Sequence, residues 1–245
     1  SSLFNARKRT GKAMIALVVS FMVALFLMIA YGQIGLPPKA PELMIDDKSI
    51  TLTQTSVSDL LKEGFDIYIR EEDSFGDDYE TNISSGEIKK YQADKSIFIK
   101  KGFRRDSNAV SYAPYLLGKD GLILGSIALY GDETKETALE DCKIIQFKLD
   151  EDRIKAAKSK AISYKLNGVD LLTRIEEGAM RTTFGDKLWS VPPAHPVDST
   201  QLWYGIQWKS HSDHLFWNEY FSLIRLDENY HMIDFELVGE ECRHR

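Results

Sequence analysis

The sequence predicts an α+β protein: a single N-terminal transmembrane helix followed by two tandem units, each a strand, a helix and an antiparallel meander. Three observations support this prediction: one long apolar run near the N-terminus, later runs in which apolar and polar residues alternate, and short helix-like segments between those runs. Apolar runs of bilayer length favour spanning helices, whereas alternation with a period of two favours strands that bury one face.

The apolar run covers residues 13–31, and Ser20 is its only polar member. A helix of these 19 residues is about 28 Å long, close to the thickness of the hydrocarbon core of a bilayer. We predict a transmembrane helix over residues 13–34. A cleaved signal peptide is the alternative, because the sequence Ala30-Tyr31-Gly32 has a small-x-small pattern, but signal peptides have shorter apolar regions. A buried helix of a soluble domain would keep a polar stripe, which this run lacks.

Charged residues flank the apolar run asymmetrically. Before the run stand Arg7, Lys8, Arg9 and Lys12, and after it come Lys39, Glu42, Asp46 and Asp47. Basic residues favour the cytoplasmic side of a membrane. We therefore predict a single-pass protein of the cell membrane, with residues 1–12 as a basic cytoplasmic tail and the chain from residue 36 onward outside. The run holds no ionisable group, which argues against ion or proton transport by this helix alone.

The net charge of −6 is distributed unevenly along the chain. Residues 1–40 hold five basic side chains and no acidic one, so the remainder holds 26 basic and 37 acidic side chains, a balance of −11. A part this acidic lacks the basic footprint of a nucleic-acid-binding protein. We predict contact with the lipid bilayer through residues 13–34 and no nucleic-acid partner. The same charge disfavours contact of the outer part with anionic headgroups.

Residues 35–47 are predicted to form a stalk between the membrane and the first unit. Pro37, Pro38 and Pro41 disfavour both helix and strand, and a proline-rich spacer is stiff.

The first α+β unit is predicted over residues 48–150. It begins with a strand at residues 50–53 and a short helix, for which Thr55 or Ser56 is the N-cap and Gly64 the stop. Alternating or apolar runs then predict further strands at residues 65–69, 96–100, 121–130 and 142–149, with an acidic loop or hairpin region over 71–87.

The second unit is predicted over residues 164–245, after a charged linker helix at residues 151–163. It opens with a strand and the turn signal Asn167-Gly168, and a helix is predicted over residues 171–184. Because this order repeats that of the first unit, we predict a tandem arrangement. The strands of the second unit are expected at residues 164–166, 202–208, 216–226 and 231–237.

A family resemblance rests on short motifs in both units. The segment from Asn167-Gly168-Val169 to Phe184-Gly185-Asp186 resembles the tandem repeats of beta-lactamase inhibitor proteins and of the small lipoprotein of the outer-membrane assembly machinery. The first unit, with Asp-Cys-Lys-Ile at residues 141–144, is similar to a domain of membrane-anchored proteins of Gram-positive anaerobes. The lipid-attachment cysteine and the Gly-x-Thr before the repeat helix are missing. The resemblance implies a non-enzymatic binding or scaffolding role over residues 48–240, and no functional residue is carried over.

Aromatic residues concentrate in the second unit, where all four tryptophans fall between Trp189 and Trp217. The candidate binding surface consists of Trp189, Trp203, Trp217 and Tyr220, because exposed aromatic patches bind proteins, peptides and glycans. The alternative is that these side chains fill a core. Alternation places Tyr204 and Trp208 on the apolar face of a strand and Trp203 on the opposite face.

Potential metal ligands occur in two places. His211 and His214, with Glu219 nearby in the sequence, are weak candidates for a metal site, but no second ligand pair and no His-Glu-x-x-His motif accompanies them. We favour a polar hairpin loop there. The acidic clusters at residues 71–73 and 77–78 lack the ligand spacing of a calcium-binding loop, so a solvated loop is favoured for them as well.

Cys142 and Cys242 are the only cysteines. Outside the cell they can form a disulfide, although Cys142 also suits a small buried position in a strand. The sequence holds no phosphate-binding loop and no Gly-x-Ser-x-Gly nucleophile elbow, so we assign no catalytic residue and no cofactor.

These observations predict a membrane-tethered, extracytoplasmic binding or scaffold protein rather than an enzyme. Its partner is expected to be a protein or a cell-envelope component, and the chain can be a subunit of a membrane complex. The alternative is a sensor of small ligands or glycans that uses the tryptophan-rich second unit. A metal-dependent hydrolase built around His211 and His214 ranks last.

Overall fold

A computed structural model describes residues 2–70, 79–93, 97–99, 115–132, 134–196, 201–212 and 215–242. These residues form a mixed α+β fold with one N-terminal apolar helix and large antiparallel sheets. The helices are α1 (Ser2–Ile34), α2 (Val57–Lys62), α3 (Tyr79–Ser85), α4 (Glu151–Ser159) and α5 (Glu177–Phe184). The strands are β1 (Leu43–Ile45), β2 (Lys48–Ile50), β3 (Asp66–Arg70), β4 (Ile88–Lys90), β5 (Phe98–Ile99), β6 (Tyr115–Lys119), β7 (Leu122–Tyr130), β8 (Thr137–Ala138), β9 (Lys143–Leu149), β10 (Tyr164–Leu166), β11 (Val169–Asp170), β12 (Leu188–Ser190), β13 (Leu202–Trp208), β14 (Glu219–Leu226) and β15 (Met232–Glu240).

Helix α1 is apolar over a length that suits a bilayer. Its segment Thr10–Ile34 has 25 residues, and none of its apolar window is buried within the protein. Large side chains such as Phe21 and Phe26 are about two-thirds exposed, with relative exposures of 67% and 69%. A core helix of a soluble domain would be covered by its neighbours. The structure is therefore compatible with a membrane anchor or a signal segment.

Nine antiparallel strands form the main sheet, in the order β12-β13-β14-β15-β9-β7-β6-β3-β4. Strands β12 to β15 follow helix α4 in the chain and the other five precede it, and we call these two parts of the chain its halves. The two sets meet where β15 pairs with β9, with Phe235 opposite Leu149. Both halves of the chain thus contribute to a single continuous sheet.

A second, smaller sheet has the order β11-β10-β1-β2. It also joins the two halves, because Leu43 of β1 lies opposite Leu166 of β10. Helix α4 connects β9 to this sheet and begins at Asp150, whose carboxylate accepts a hydrogen bond from the backbone N–H of Arg153 at 2.8 Å. Such an N-cap satisfies one of the donors that a helix leaves unpaired at its start.

The core lies between the inner face of the main sheet and a layer formed by the small sheet, α2, α4 and α5. Phe147 is at its centre, with the rings of Tyr164 and Phe235 both at 6.3 Å between centroids. The hydroxyl of Tyr164 donates to the carbonyl oxygen of Leu124 at 2.7 Å, which joins the small sheet to β7. Burying an aromatic or large aliphatic side chain contributes about 1.5–3 kcal/mol.

Helix α3 covers one end of the outer face of the main sheet. Tyr79 of α3 packs with Tyr68 and Leu116 in a small second cluster. The guanidinium carbons of Arg70 and Arg153 lie 5.2 Å and 4.9 Å from the centroid of the Tyr79 ring. Cations stacked on a ring hold it in place. The other end of this face, over β12 to β14, carries the aromatic residues described in the next section.

The start of helix α2 confirms one of the two predicted N-caps. The side chain of Ser56 accepts from the backbone N–H of Asp59 at 3.2 Å, and the carboxylate of Asp59 accepts from the backbone N–H of Ser56 at 3.0 Å. This reciprocal arrangement is a capping box. It lowers the pKa of Asp59, chiefly through the hydrogen bond from the Ser56 hydroxyl.

The structure corrects the predicted beginning of the first unit. The stalk predicted over residues 35–47 extends too far, because residues 43–45 form β1 and are paired on both sides. The strand predicted at residues 50–53 is also wrong. Strand β2 ends at Ile50, and a turn follows in which Thr53 has a φ of +64°. Left-handed backbone of this kind cannot continue a strand.

The helix predicted over residues 171–184 is shorter, since α5 begins only at Glu177. The backbone N–H of Ile175 donates to the carbonyl oxygen of Tyr230 at 3.0 Å, and Arg174 forms a bridge with His231. These contacts with the turn before β15 replace the helical hydrogen bonds that the spacing of apolar residues had suggested.

The loop predicted over residues 71–87 is partly helical, because residues 79–85 form α3. Its acidic clusters, Glu71-Glu72-Asp73 and Asp77-Asp78, lie outside the described residues.

Candidate functional site

Three aromatic side chains meet on the outer face of the main sheet, and we call them the outer aromatic patch: Trp189, Trp203 and Phe221. The rings of Trp189 and Trp203 lie 4.8 Å apart between centroids, at an interplanar angle of 60°. The ring of Phe221 lies 6.1 Å from that of Trp189. Trp189 is 49% exposed, and the other two are partly buried. The patch therefore offers apolar surface to solvent.

The alternation of β13 positions this patch. Leu202, Tyr204, Ile206 and Trp208 are buried in the core, so the side chains between them point to the outer face. Trp203 is one of these, as the sequence predicts. Gly205 is another, and the indole of Trp189 from the edge strand β12 lies directly over it. Because a glycine leaves the sheet surface flat, the large ring can rest against the backbone.

Phe221 reaches the same face from β14, where it lies opposite Gln207. It was not among the predicted site residues. Its face follows from the pairing of Trp208 with Tyr220, which fixes the parity of β14. The sequence signal for Phe221 was its position next to Tyr220 in the run at residues 216–226, but both alternating sets of positions in that run hold apolar residues, so the pattern did not show which one faces outward.

Charged residues border the outer aromatic patch. Arg225 lies opposite Trp203 on β14, and its guanidinium contacts the carboxylate of Asp234 on β15 at 2.6 Å. Further along the face, the side-chain amide of Gln146 donates to Glu236. The outer face thus changes from aromatic to hydrogen-bonding groups within the width of two strands.

Tyr220 is not part of this surface, which corrects its assignment to the candidate binding surface. It lies on the core side of β14, is 5% exposed, and shares a hydrogen bond of 2.9 Å between its hydroxyl and that of Thr53. Burial raises its pKa above the ordinary value of a tyrosine. Its position next to Thr53 ties β14 to the turn after β2.

Trp217 is also separate from the patch. Its indole N–H donates to the carbonyl oxygen of Gly35 at 3.3 Å, at the end of α1. His211 lies beside it in the fold, because the imidazole of His211 packs against Gly35. Two residues of the β13–β14 connection therefore contact the chain where it leaves the apolar helix.

Of the predicted metal candidates, the structure describes His211 and Glu219. His214 lies outside the described residues, and Glu219 accepts hydrogen bonds of 2.9 Å and 2.6 Å from the backbone and hydroxyl of Ser210. Within the parts of the chain that the structure describes, no three histidine, cysteine or acidic side chains are grouped to hold a metal ion.

The cysteines are not joined to each other in the described structure. Cys142 is buried in the core, and its thiol donates to the carbonyl oxygen of Ala138 at 3.3 Å. Burial raises the pKa of this thiol to about 11. A thiol with so high a pKa is a poor nucleophile at neutral pH, so Cys142 has the properties of a core residue.

An open groove of about 530 Å³ lies between β2 and α2. Its charged side chains pair with one another, since the ammonium of Lys48 lies 2.7 Å from the carboxylate of Glu63. Both lysines of the lining, Lys48 and Lys62, are paired with its carboxylates, so the groove offers fewer free charged groups to a ligand.

The chain matches no known protein family, no curated protein and no solved structure.

Proposed function

We propose that this chain is a membrane-tethered binding protein whose domain lies outside the cytoplasm and whose partner docks on the outer aromatic patch. The observation that carries the proposal is the half-exposed ring of Trp189, packed against Trp203 beside the Arg225–Asp234 ion pair. Tryptophan and arginine are the residues most enriched at the energetic centres of protein interfaces. The anchor is supported by the uncovered apolar helix α1.

The patch is also rigid, which favours binding. Trp189 is held from below by Gly205 and from the side by Trp203, and both lie on a strand paired along its length with β14. A side chain that is already ordered loses little conformational entropy when a partner covers it. A protein surface with a complementary apolar centre and a hydrogen-bonding rim fits this arrangement.

A glycan is the second candidate ligand, and the orientation of Trp189 favours it. One face of the indole lies over Gly205, and about half of Trp189 is exposed to solvent. Flat aromatic faces stack against apolar faces of ligands, and the neighbouring Arg225 and Asp234 supply hydrogen-bonding groups for hydroxyls.

We further infer that the two halves of the chain are tandem copies of one unit. Each half has a hairpin (β1–β2 or β10–β11), then a helix (α2 or α5), then antiparallel strands of the main sheet. The hairpins pair through β1 and β10, and the last strands pair through β9 and β15. This supports the resemblance to tandem-repeat binding proteins, which implies a scaffolding role without catalysis.

The membrane arrangement is tested on intact cells. Protease added outside is expected to degrade the domain after residue 36, and the remaining α1 fragment is expected to resist extraction by alkaline carbonate. Full protection of the domain in intact cells, with degradation only after lysis, would place it in the cytoplasm and refute the arrangement.

Partner binding is tested by affinity purification of the full chain from detergent-solubilised membranes, followed by the same purification with Trp189→Ala. If the patch is the docking site, a protein that co-purifies with the native chain is recovered at least about tenfold less with the variant. Phe98→Ala is the matched control, because Phe98 is an aromatic residue that is 57% exposed on β5, outside the main sheet. Equal recovery with both variants contradicts the assignment of the patch.

The two ligand classes are separated with the purified chain. Titration with oligosaccharides from the cell envelope is expected to leave the tryptophan emission unchanged if the ligand is a protein. If an oligosaccharide causes a saturable change in tryptophan emission, and Trp189→Ala abolishes that change, the ligand is a glycan rather than a protein.

A further inference from the structure

We propose that the connection between β13 and β14 is a second membrane contact, in which Leu215, Phe216 and Trp217 rest in the lipid headgroup layer beside the end of α1. The inference rests on the membrane anchor of the proposed function and adds a second lipid contact to it. It involves neither the outer aromatic patch nor its partner.

The first argument is the direct contact between this connection and the end of α1. Helix α1 ends at Ile34, and Gly35 closes it with a φ of +73° and a hydrogen bond of 2.9 Å from its N–H to the carbonyl oxygen of Tyr31. Glycine is the usual residue at such a left-handed helix end. The carbonyl oxygen of Gly35 accepts the indole N–H of Trp217 at 3.3 Å.

Gly35 also leaves no space between the two segments. A methyl group on it would lie 2.9 Å from Nδ1 of His211, which is closer than van der Waals contact. The β13–β14 connection is therefore packed against the last turn of α1 through two separate side chains.

The second argument is the depth of this contact in a bilayer. The apolar run ends at Tyr31, and Gly35 follows four residues later, which is about 6 Å along a helix axis. If the apolar run spans the hydrocarbon core, Gly35 lies within the headgroup layer, which is roughly 5–8 Å thick on each side. Trp217, bonded to Gly35, lies at the same depth.

The third argument is the chemistry of the exposed residues. Leu215 and Phe216 are 36% and 42% exposed, and Leu36 on the adjoining segment is 65% exposed. Tryptophan is enriched at the membrane–water interface because its ring is apolar and its N–H is polar. An apolar pair followed by a tryptophan suits this layer better than it suits water.

The charge of the β13–β14 connection does not oppose its contact with lipid headgroups. The part of the chain after residue 40 has a balance of −11, but residues 209–218 hold one lysine and one aspartate before the glutamate of β14. Repulsion from anionic lipids falls off within a Debye length, about 8 Å at physiological ionic strength. The connection is thus a nearly neutral part of an acidic domain, and it is the part next to the membrane helix.

The test uses the full chain in phosphatidylcholine vesicles that contain lipids brominated either near the headgroup end or near the terminal end of the acyl chain. We expect shallow bromines to quench tryptophan emission more than deep ones. Trp217→Phe is expected to remove more than half of the shallow quenching, whereas equal contributions from the four tryptophans would remove only a quarter.

Trp189→Phe is the matched control. Trp189 lies over Gly205, and Lys209 follows Gly205 by four positions, which is about 13 Å along a strand. This variant is expected to keep the shallow quenching. Phe216→Trp adds an indole at an exposed position and is expected to increase it.

Unchanged shallow quenching in Trp217→Phe, or no increase in Phe216→Trp, would overturn the proposal. Alkaline extraction of the same vesicles reports separately on the anchor. A chain that stays in the vesicles but shows no shallow quenching retains the anchor and lacks the second contact, whereas a chain that is extracted lacks both.

Discussion

The seat of Trp189 on Gly205 can be tested by replacing Gly205 with alanine. The indole of Trp189 lies where the new methyl group would be, so the ring must leave its position on the sheet. A tryptophan side chain has up to about 250 Å² of surface. Trp189 is 49% exposed, so displacing it returns about half of that area, roughly 125 Å², to water.

That area corresponds to about 3 kcal/mol at about 25 cal/mol per Å². Alanine is more favourable than glycine within a strand by about 0.5–1 kcal/mol. We therefore expect Gly205→Ala to lower the free energy of unfolding by about 2 kcal/mol, and Trp189→Ala to lower it by about 3 kcal/mol. The double variant has no ring to displace, so it should lose only about 2 kcal/mol rather than the sum of the two effects.

The assay is urea unfolding of the full chain in mild detergent. Unfolding is monitored by circular dichroism rather than by tryptophan fluorescence, because two of the variants lack a tryptophan. Gly178→Ala on α5 is the control, because a methyl group at Gly178 would meet no neighbouring atom within 4 Å. It should stabilise the protein by about 0.5–1 kcal/mol. Additive losses in the double variant, about 5 kcal/mol in total, would refute the seating of the ring on Gly205.

Two further predictions concern single hydrogen-bonding groups. Ser56→Ala should cost about 1 kcal/mol at pH 7 through loss of the cap. Because the pKa of Asp59 is lowered in the folded state, its part of this stability is present above the unfolded pKa near 4 and is lost as the pH falls through the lowered value. The difference in melting temperature between the native chain and Ser56→Ala should therefore become smaller from pH 7 to pH 2.5. A constant difference contradicts the capping box. Tyr220→Phe should cost about 1–2 kcal/mol in urea unfolding, because Thr53 loses its buried partner. Tyr204→Phe should be neutral or stabilising, since the buried hydroxyl of Tyr204 has no hydrogen-bond partner among the described residues. Equal losses in the two variants would count against this distinction.

Strands with a strict alternation were predictable from the sequence. Residues 202–208 form β13 as predicted, and their parity places Trp203 on the outer face. The apolar run predicted at residues 121–130 corresponds to β7, and residues 142–149 correspond to β9 within one residue. In these segments one face is buried along the whole strand, so the local pattern reports the tertiary environment.

Elements that depend on distant partners were not predictable. Strand β1 follows three prolines and has only three residues, and its partners include β10, more than a hundred residues later. The first half of the helix predicted over residues 171–184 is replaced by contacts of Arg174 and Ile175 with the turn before β15. In both places long-range pairing overrides the local sequence signal, which predicted a stalk at β1 and a helix at residues 171–176.

The candidate site also combines a feature that follows from a local pattern with one that depends on distant partners. The outward direction of Trp203 follows from β13 alone, but the position of Trp189 depends on the pairing of β12 across from Gly205. Tyr220 was assigned to the surface because it belongs to the aromatic cluster of the second unit, and the run at residues 216–226 has apolar residues at both alternating sets of positions. Its neighbour Phe221 occupies the outer position instead.

In the proposed membrane arrangement, a pull on α1 first loads the contact between Gly35 and Trp217 and then reaches β1, which is an interior strand of the small sheet. Just before it, the backbone N–H of Glu42 donates to the side chain of Asn167 at 2.7 Å, and the backbone N–H of Asn167 donates to the carbonyl oxygen of Glu42 at 2.9 Å. Extracting β1 requires its bonds to β2 and to β10 to break together rather than one after another. If the proposed partner and anchor are both in place, tension between them would be carried by this sheet without unravelling the domain from β1.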